Sequence, residues 1–459
     1  MPYSVSKVRL LSNNKSIFTL IISILIIIIM DSSLTIFCTP KSSRIINISN
    51  TELYLIYSII FIISNIVLFN IVRSITSNLN KYFYFIVLII QSLLFITLLT
   101  IYGEMIIYSN YSNLVIFIIV YTSFLSSIGF LSILTVKLFR WFSLNPNSSI
   151  LMYGIAISIF ILNTIIGLVY VTQVLSTHTD IIKPMSCRVL FGSLFHINPG
   201  LSIYLSNLYD ITSIISFIAV WFVTTFILKQ YSHNIGKIKY WILVSVPLIV
   251  FMTKYEIILY YLLKDPAILE IFYSIRLNSI LDQIISTFLN SNLQIGGIFF
   301  AISFLVIVKK IPKGHRIVNS LIISLIGMMF LFGSKDISEL ILPSYPPVGI
   351  VAISFLGLAS YLLLVGIYSS ATIAARDITL RKYLNKKVEN DTTLLNNIAF
   401  SENETEIQKN VKSLMTYSSQ WQQNNIQHEL NQQEIKEIVN DVISEVKENV
   451  KKNEGKMRK

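Results

Sequence analysis

Ten long apolar runs constrain the fold of this chain more than any other feature. Each run holds about 17–24 mainly apolar residues, and a helix of about 20 such residues spans the hydrocarbon core of a bilayer. The runs lie at 16–37, 53–72, 82–102, 114–136, 150–172, 208–228, 240–260, 292–308, 317–334 and 347–370. The sequence therefore predicts an all-α, polytopic membrane protein with about ten transmembrane helices.

The charged residues are too few for a soluble domain of this length. They make up 13% of the chain, and the mean hydropathy is +0.67. A soluble domain carries about 25% charged residues, which it uses to cover its water-facing surface. The composition thus agrees with a bilayer as the main surroundings of the chain.

The first apolar run has two interpretations. Lys7, Arg9 and Lys15 precede the apolar stretch Ile17–Met30, as in a signal peptide. No small-x-small cleavage site follows near 32–39, which favours an uncleaved anchor. Cleavage would leave nine spans and keep the rest of the topology.

The basic residues predict the orientation of the spans. Cytoplasmic loops carry an excess of Lys and Arg. With the N-terminus inside, the inner segments before the tail hold fourteen basic residues and no acidic one. The acidic residues before the tail lie on or near the outer side. We expect an N-in/C-in, multi-pass protein of the cell membrane.

The same placement explains the net charge of +12. Nearly all of this charge comes from the inner loops, where it sets topology and contacts anionic lipid. No basic domain with interleaved aromatic residues is evident, so we expect the lipid bilayer, and no nucleic acid, as a partner.

The chain changes character after the last run. Residues 1–375 form the predicted transmembrane domain, and 376–459 form a cytoplasmic tail rich in Asn, Gln, Glu and Lys. Apolar residues recur at helical spacing over 404–421 and 431–452, which predicts two amphipathic helices. The second repeat is short for a coiled coil, so self-association, a cytoplasmic partner and packing on the first helix stay open for residues 404–452. A third amphipathic segment is predicted in the outer loop 261–290.

Catalytic and metal-binding motifs are not evident. We find no phosphate-binding glycine loop, no His-Glu-x-x-His, no Cys-x-x-Cys and no G-x-S-x-G. His178 and His196 share an outer loop, but their spacing matches no metal-ligand pattern. We therefore expect neither an enzyme nor a bound metal or cofactor.

The two cysteines are both predicted on the outer side. Cys38 follows the first run, and Cys187 lies in the long outer loop 173–207. Disulfides form in such oxidising surroundings. A Cys38–Cys187 bridge is one interpretation, and two unrelated small apolar residues are the other.

Ionisable residues inside spans are the best functional candidates. Lys254 and Glu256 lie in the seventh run, about 22 and 25 Å from Lys239 at ~1.5 Å per residue, and so near the outer interface. With Asp210 they form a predicted ligand pathway in an outer vestibule. The alternative for Lys254 is that its amine simply reaches the lipid headgroups.

Neutral polar and small residues predict helix packing. Asn65, Asn70, Gln91 and Asn163 lie inside runs, where amides mostly hydrogen-bond between helices. Gly154-x-x-x-Ser158 is typical of close helix contact. Pro247 predicts a kink in the seventh span, and Gly296-Gly297 raises the option of a backbone break in the eighth.

Part of the sequence resembles a known family. The matching segments are Gly296-Gly297-Ile298, Tyr345-Pro346-Pro347-x-Gly349, Ser354-Phe355-x-Gly357-Leu358-Ala359-Ser360-Tyr361-Leu362 and Val365-Gly366-Ile367-Tyr368-Ser369-Ser370-Ala371. Over residues 293–446 the chain resembles uncharacterised multi-pass membrane proteins of ammonia-oxidising archaea. The resemblance implies an archaeal cell membrane and a helical architecture, and it implies no activity.

Two functions follow as hypotheses. The helix number, Pro247 and the Lys254, Glu256 and Asp210 group favour a small-solute transporter or channel-like protein. The long tail and the large outer loops favour a membrane scaffold or sensor whose tail binds a partner. A polar cavity between the sixth, seventh and eighth spans would support transport, and a solid bundle would count against it.

Overall fold

The computed structural model describes residues 56, 58–60, 62–63, 66, 81–108, 110–144, 146–176, 181–182, 199–230, 236–254, 292–311, 316–335, 349–376, 398, 401–405 and 409. The chain divides into two units, Met1–Ala399 and Phe400–Lys459. Both cysteines, Glu256 and the predicted amphipathic segments 261–290 and 431–452 lie outside the described residues.

The described part of the first unit is almost entirely helical, as predicted. Its helices are α1 Lys81–Tyr108, α2 Asn113–Leu144, α3 Ser148–Ser176, α4 Pro199–Gln230, α5 Lys237–Lys254, α6 Asn292–Lys310, α7 Arg316–Lys335 and α8 Ile350–Arg376. Each coincides with one of the last eight predicted runs. The first run lies outside the described residues, and the few described positions of the second, between 56 and 66, are helical.

Six of the described helices are long and apolar enough to cross a membrane, namely α1, α2, α3, α4, α7 and α8. A shorter apolar stretch, Gly296–Val308, lies in α6. Large apolar side chains stay exposed along the outer helices, including Phe85 and Ile96 of α1 and Leu125 of α2. A bundle surface of this kind fits lipid and would be insoluble in water, so the six helices fit an integral membrane protein.

Several helices extend past the apolar runs because local residues set their ends. α4 begins at Pro199, nine residues before the predicted 208, since proline suits the first helical position. α3 begins after Asn147, whose Oδ1 accepts a hydrogen bond of 2.9 Å from the Ser149 amide. α8 begins after Gly349, whose φ of 86° is a backbone conformation that favours glycine.

A short strand pair joins two loops at one end of the bundle. β1 Tyr111–Ser112 pairs antiparallel with β2 Ile181–Ile182. Next to it, the Ser112 amide donates to Glu104 Oε2 at 2.7 Å, and Asn113 Nδ2 donates to the Leu175 carbonyl at 2.8 Å. These bonds fasten the α1–α2 turn to the end of α3, on the side predicted to be outer.

α8 is the centre of the described bundle. All residues of its most apolar stretch are buried, whereas about a third of the residues in the corresponding stretch of α1 are buried. It packs most extensively on α7 and α2, and also contacts α1. α8 is therefore enclosed by its neighbouring helices.

Small residues bring the α8 backbone close to α7 and α2. A Cβ at Gly327 of α7 would lie 2.5 Å from the Leu363 amide nitrogen, and one at Gly366 would lie 2.5 Å from the Ser324 nitrogen. On the other side of α8, Gly357 faces Ser126, and Ser127 Oγ hydrogen-bonds Ser360 Oγ at 2.6 Å. In lipid, helices associate through such close contacts and hydrogen bonds.

The described residues of the second unit are few. Residues 401–405 and 409 are helical, and Thr405 Oγ1 donates to the Ser401 carbonyl at 2.8 Å. Most of the predicted tail helix over 404–421 lies outside the described residues. The predicted boundary at 375/376 stays a prediction.

We expect Gly327→Ala to destabilise the bundle by about 1–3 kcal/mol, because the new methyl meets backbone atoms that cannot rotate away. Gly129→Ala in α2 is the matched control, since no atom lies within 4 Å of its added Cβ. The control should be unchanged or more stable by up to about 1 kcal/mol. Thermal unfolding of both variants in detergent measures the difference, and equal stabilities would contradict the close crossing of α7 and α8.

Candidate functional site

Two of the three predicted pathway residues, Asp210 and Lys254, lie in described helices, toward the predicted outer ends of α4 and α5. Asp210 is half-buried on α4, and Lys254 is the last residue of α5. Glu256 lies outside the described residues. The described structure therefore locates one acidic side chain of the predicted group and does not test whether the three meet.

Asp210 lies on a segment that is fastened to α3. Asn163 Nδ2 of α3 donates to Thr212 Oγ1 at 2.8 Å and to the Tyr209 carbonyl at 3.3 Å. Asn163 and Tyr209 are both buried. The prediction that Asn163 hydrogen-bonds between helices is confirmed, and the bonds hold the backbone on both sides of Asp210.

A cluster of phenylalanine rings fills the bundle on the inner side of Asp210. Phe217 follows Asp210 by seven residues and so lies on the same face of α4, about 10 Å further along the axis. Its ring stacks on Phe251 of α5, with centroids 3.7 Å apart and planes 2° from parallel. Five phenylalanine rings meet here, and we refer to them together as the phenylalanine cluster. They are those of Phe160, Phe217, Phe251, Phe300 and Phe332.

The phenylalanine cluster joins five helices. Phe300 of α6 lies 5.1 Å from Phe217 and 4.9 Å from Phe332 of α7, and Phe160 of α3 lies 5.3 Å from Phe332. Every one of these rings is at most 1% exposed. Tilted and edge-on contacts of this kind stabilise buried aromatic groups beyond their apolar area. Where the described parts of α4, α5 and α6 meet, the space is occupied by aromatic carbon.

Gly296 and Gly297 serve this packing instead of breaking the helix. α6 is continuous through both residues, so a backbone break at this position is wrong. Gly297 faces the Met329 carbonyl and Phe332 of α7, where an added Cβ would lie 2.7 Å from Phe332 Cβ. Gly296 likewise faces the ring of Phe217. A glycine that allows close packing cannot be distinguished in the sequence from a glycine at which a helix breaks, which is why the break was predicted.

Gln91 is the second of the predicted amides among the described residues. It is 5% exposed in the middle of α1, and among those residues neither its amide nitrogen nor its amide oxygen has a hydrogen-bond partner. The expected bond between helices is therefore not found for Gln91 in the described part of the chain. Asn65 and Asn70 lie outside the described residues.

Other contacts between helices were not foreseen from the sequence. Trp221 of α4 donates its indole N–H to the Val244 carbonyl of α5 at 2.8 Å. At the opposite side of the bundle, Trp141 of α2 stacks on Tyr368 of α8 at 6.5 Å, and Lys137 Nζ lies 5.1 Å from the centre of the same ring. A tryptophan in an apolar run gives no signal of its partner, which is why these contacts appear only in the structure. Gly154, by contrast, faces Phe139 and Leu138 of α2 as the small-residue pattern predicted.

Among the described residues, no group of three or more His, Cys, Asp or Glu side chains is arranged to hold a metal ion. The predicted histidine pair and the predicted cysteine pair are not among the residues described.

Comparison with known proteins gives no relative. No protein-family model, no curated protein and no solved structure matches this chain. The resemblance to archaeal membrane proteins therefore stays a prediction, and function has to be argued from the geometry alone.

We expect the Asn163–Thr212 hydrogen bond to stabilise the contact of α3 with α4 by about 0.6–1.7 kcal/mol, the usual range for such bonds inside membranes. A double-mutant cycle of Asn163→Ala and Thr212→Val measures this coupling through the unfolding free energies of the four proteins. Fully additive effects would show that the two side chains do not interact.

Proposed function

We propose that this protein is a membrane scaffold or sensor whose cytoplasmic tail binds a partner. The observation that carries the proposal is the position of α8, the most buried helix of the described bundle, which runs directly into the tail at Arg376. A partner bound to the tail would thus be held by the centre of the bundle, not by a peripheral helix.

The root of the tail is held by further contacts. Tyr368, two turns before the end of α8, lies against Trp141 and Lys137 of α2. Further on, Ile398 is 4% exposed and belongs to the apolar core of the first unit. These contacts attach the end of α8 and Ile398 to the packed core of the first unit.

The phenylalanine cluster favours the scaffold or sensor function over transport. A solute on the predicted path between α4, α5 and α6 would have to pass the level of Phe217, whose ring contacts those of Phe251 and Phe300. Asp210 lies on the predicted outer side of that level, seven residues before Phe217 on α4. A sensor that binds a ligand from outside needs no path across the cluster.

Transport of a small solute is the second candidate function. The observation that favours it is Asp210, an acidic side chain half-buried in an apolar helix, since ionisable residues inside spans commonly serve transport. It requires the phenylalanine cluster to open during the cycle. The cell membrane is the proposed location under either function.

The tail prediction is tested by cross-linking the full-length protein in native membranes. We expect one cytoplasmic partner, or a second copy of the chain, to be cross-linked to residues 400–459. Val442→Asp with Ile435→Asp, on the predicted apolar stripe, should lower its yield about tenfold, because each charge interrupts an apolar contact. Asn440→Asp with Ser444→Asp, which adds equal charge off the stripe, should leave it unchanged. A yield equal to that of a chain ending at Ala399 would overturn the proposal.

Water access to the cluster separates the two candidates. In a chain with Cys38→Ser and Cys187→Ser, we expect Phe217→Cys and Ala301→Cys to resist a membrane-impermeant thiol reagent added to both sides of open membranes. Lys239→Cys, at an exposed position of α5, is the reactive control. Ala301 is buried and small, so its variant keeps the fold and remains informative if Phe217→Cys does not. Labelling at both buried positions would support transport.

A further inference from the structure

A groove lies between α4 and α5 at the end of the bundle predicted to face the cytoplasm. Its volume is about 770 Å³, within the range of about 300–1,000 Å³ of small-molecule sites. On α4 it is lined by residues at positions i, i+3, i+4 and i+7, which form one face of a helix. They are Phe222, Thr225, Phe226 and Lys229.

The α5 side of the groove repeats this order from the opposite direction. Lys237, the first residue of α5, is followed at i+3 and i+4 by Tyr240 and Trp241. Because the two helices run in opposite directions at this turn, the lysines share the open end and the aromatic groups lie deeper. The groove therefore has a cationic mouth and an aromatic interior, and from Phe222 to Lys229 it is about 10 Å long, the length of seven helical residues.

A hydrogen bond closes the groove at the end away from the two lysines. Trp221, next to Phe222, donates its indole N–H to the Val244 carbonyl, three residues past Trp241. This bond ties α4 to α5 where the aromatic lining ends. The groove is open along the surface of the bundle, since Phe222 is 52% and Trp241 57% exposed.

The charges at the mouth call for an anion. Among the described residues that line the groove none is acidic, and Lys229 and Lys237 are both exposed. The N-terminus of α5 has no acidic residue in its first turn, so the positive end of its helix dipole adds positive potential at the same place. An anion is favoured here, and the apolar interior requires that the anion carry a hydrocarbon chain.

We propose that this groove is a binding site for one anionic phospholipid. The phosphate lies between Lys229 and Lys237, and the upper part of one acyl chain lies along Phe226, Trp241 and Phe222. Tyr240 and Trp241 occupy the level of the membrane interface, where amphipathic aromatic side chains concentrate. The combination of two lysines with an aromatic groove is what would distinguish this lipid from its neighbours.

The charge part of the proposal is tested by native mass spectrometry of the full-length protein in detergent, titrated with phosphatidylglycerol, phosphatidylcholine or inorganic phosphate. We expect one phosphatidylglycerol to bind about tenfold more tightly than phosphatidylcholine, as juxtamembrane lysines favour anionic lipid. Lys229→Gln with Lys237→Gln should abolish that preference. Lys239→Gln, an exposed neighbour that does not line the groove, should keep it.

The apolar part is tested by Trp241→Ala, which should weaken phosphatidylglycerol binding several-fold, while Ile242→Ala, equally exposed and outside the groove, should not. Both positions face outward, so neither variant disturbs the core. Equal binding of the two lipids, a preference that survives loss of both groove lysines, or no difference between the two alanine variants would overturn the proposal. Displacement of the lipid by equimolar inorganic phosphate would identify a site for the free anion instead.

Discussion

The close approach of α8 to α7 and α2 is the interaction on which the rest of the described bundle depends. In a bilayer, moving an apolar side chain from lipid to protein gains little, so helices associate through van der Waals contact and hydrogen bonds. Glycine and serine allow both, because they let backbones meet. Gly327 against Leu363 and Gly366 against Ser324 place two backbones in direct contact, and Ser127 with Ser360 adds a hydrogen bond on the other side. A larger residue at any of these glycines would separate the helices that surround α8.

The other half of the bundle is packed by the opposite means. Around α4, α5 and α6, large rings interlock instead of small residues meeting, and the two glycines of α6 make room for Phe217 and Phe332. Rings of this size reach across gaps that Gly and Ser would leave open. The bundle therefore combines a backbone-to-backbone contact at α8 with an aromatic contact at α4–α6, and α7 belongs to both.

The sequence predicted the helices well and their partners poorly, for a physical reason. An apolar run of bilayer length forms a helix almost regardless of its neighbours, since its backbone groups have no other partner in lipid. Which face meets which helix depends on shapes several helices apart. Asn163 was recognisable because a buried amide needs a partner, and Gly154 because its spacing is characteristic. Phe217 could not be distinguished from the other phenylalanines of the chain, and the buried amide of Gln91 has no hydrogen-bond partner among the described residues.

Pro247 affects both the helix in which it lies and the contact of that helix with α4. It is buried within α5 and cannot donate a hydrogen bond to the Leu243 carbonyl, four residues earlier. The adjoining carbonyl, that of Val244, accepts the indole N–H of Trp221. A proline thus loosens the helical bonding at the point where α4 is joined to α5. On the predicted outer side of this bond, α4 and α5 are in contact through Phe217 and Phe251. On the predicted cytoplasmic side, the same two helices line the groove with Lys229 and Lys237. Pro247, at which the sequence predicts a kink, therefore lies near the boundary between the aromatic core and the groove.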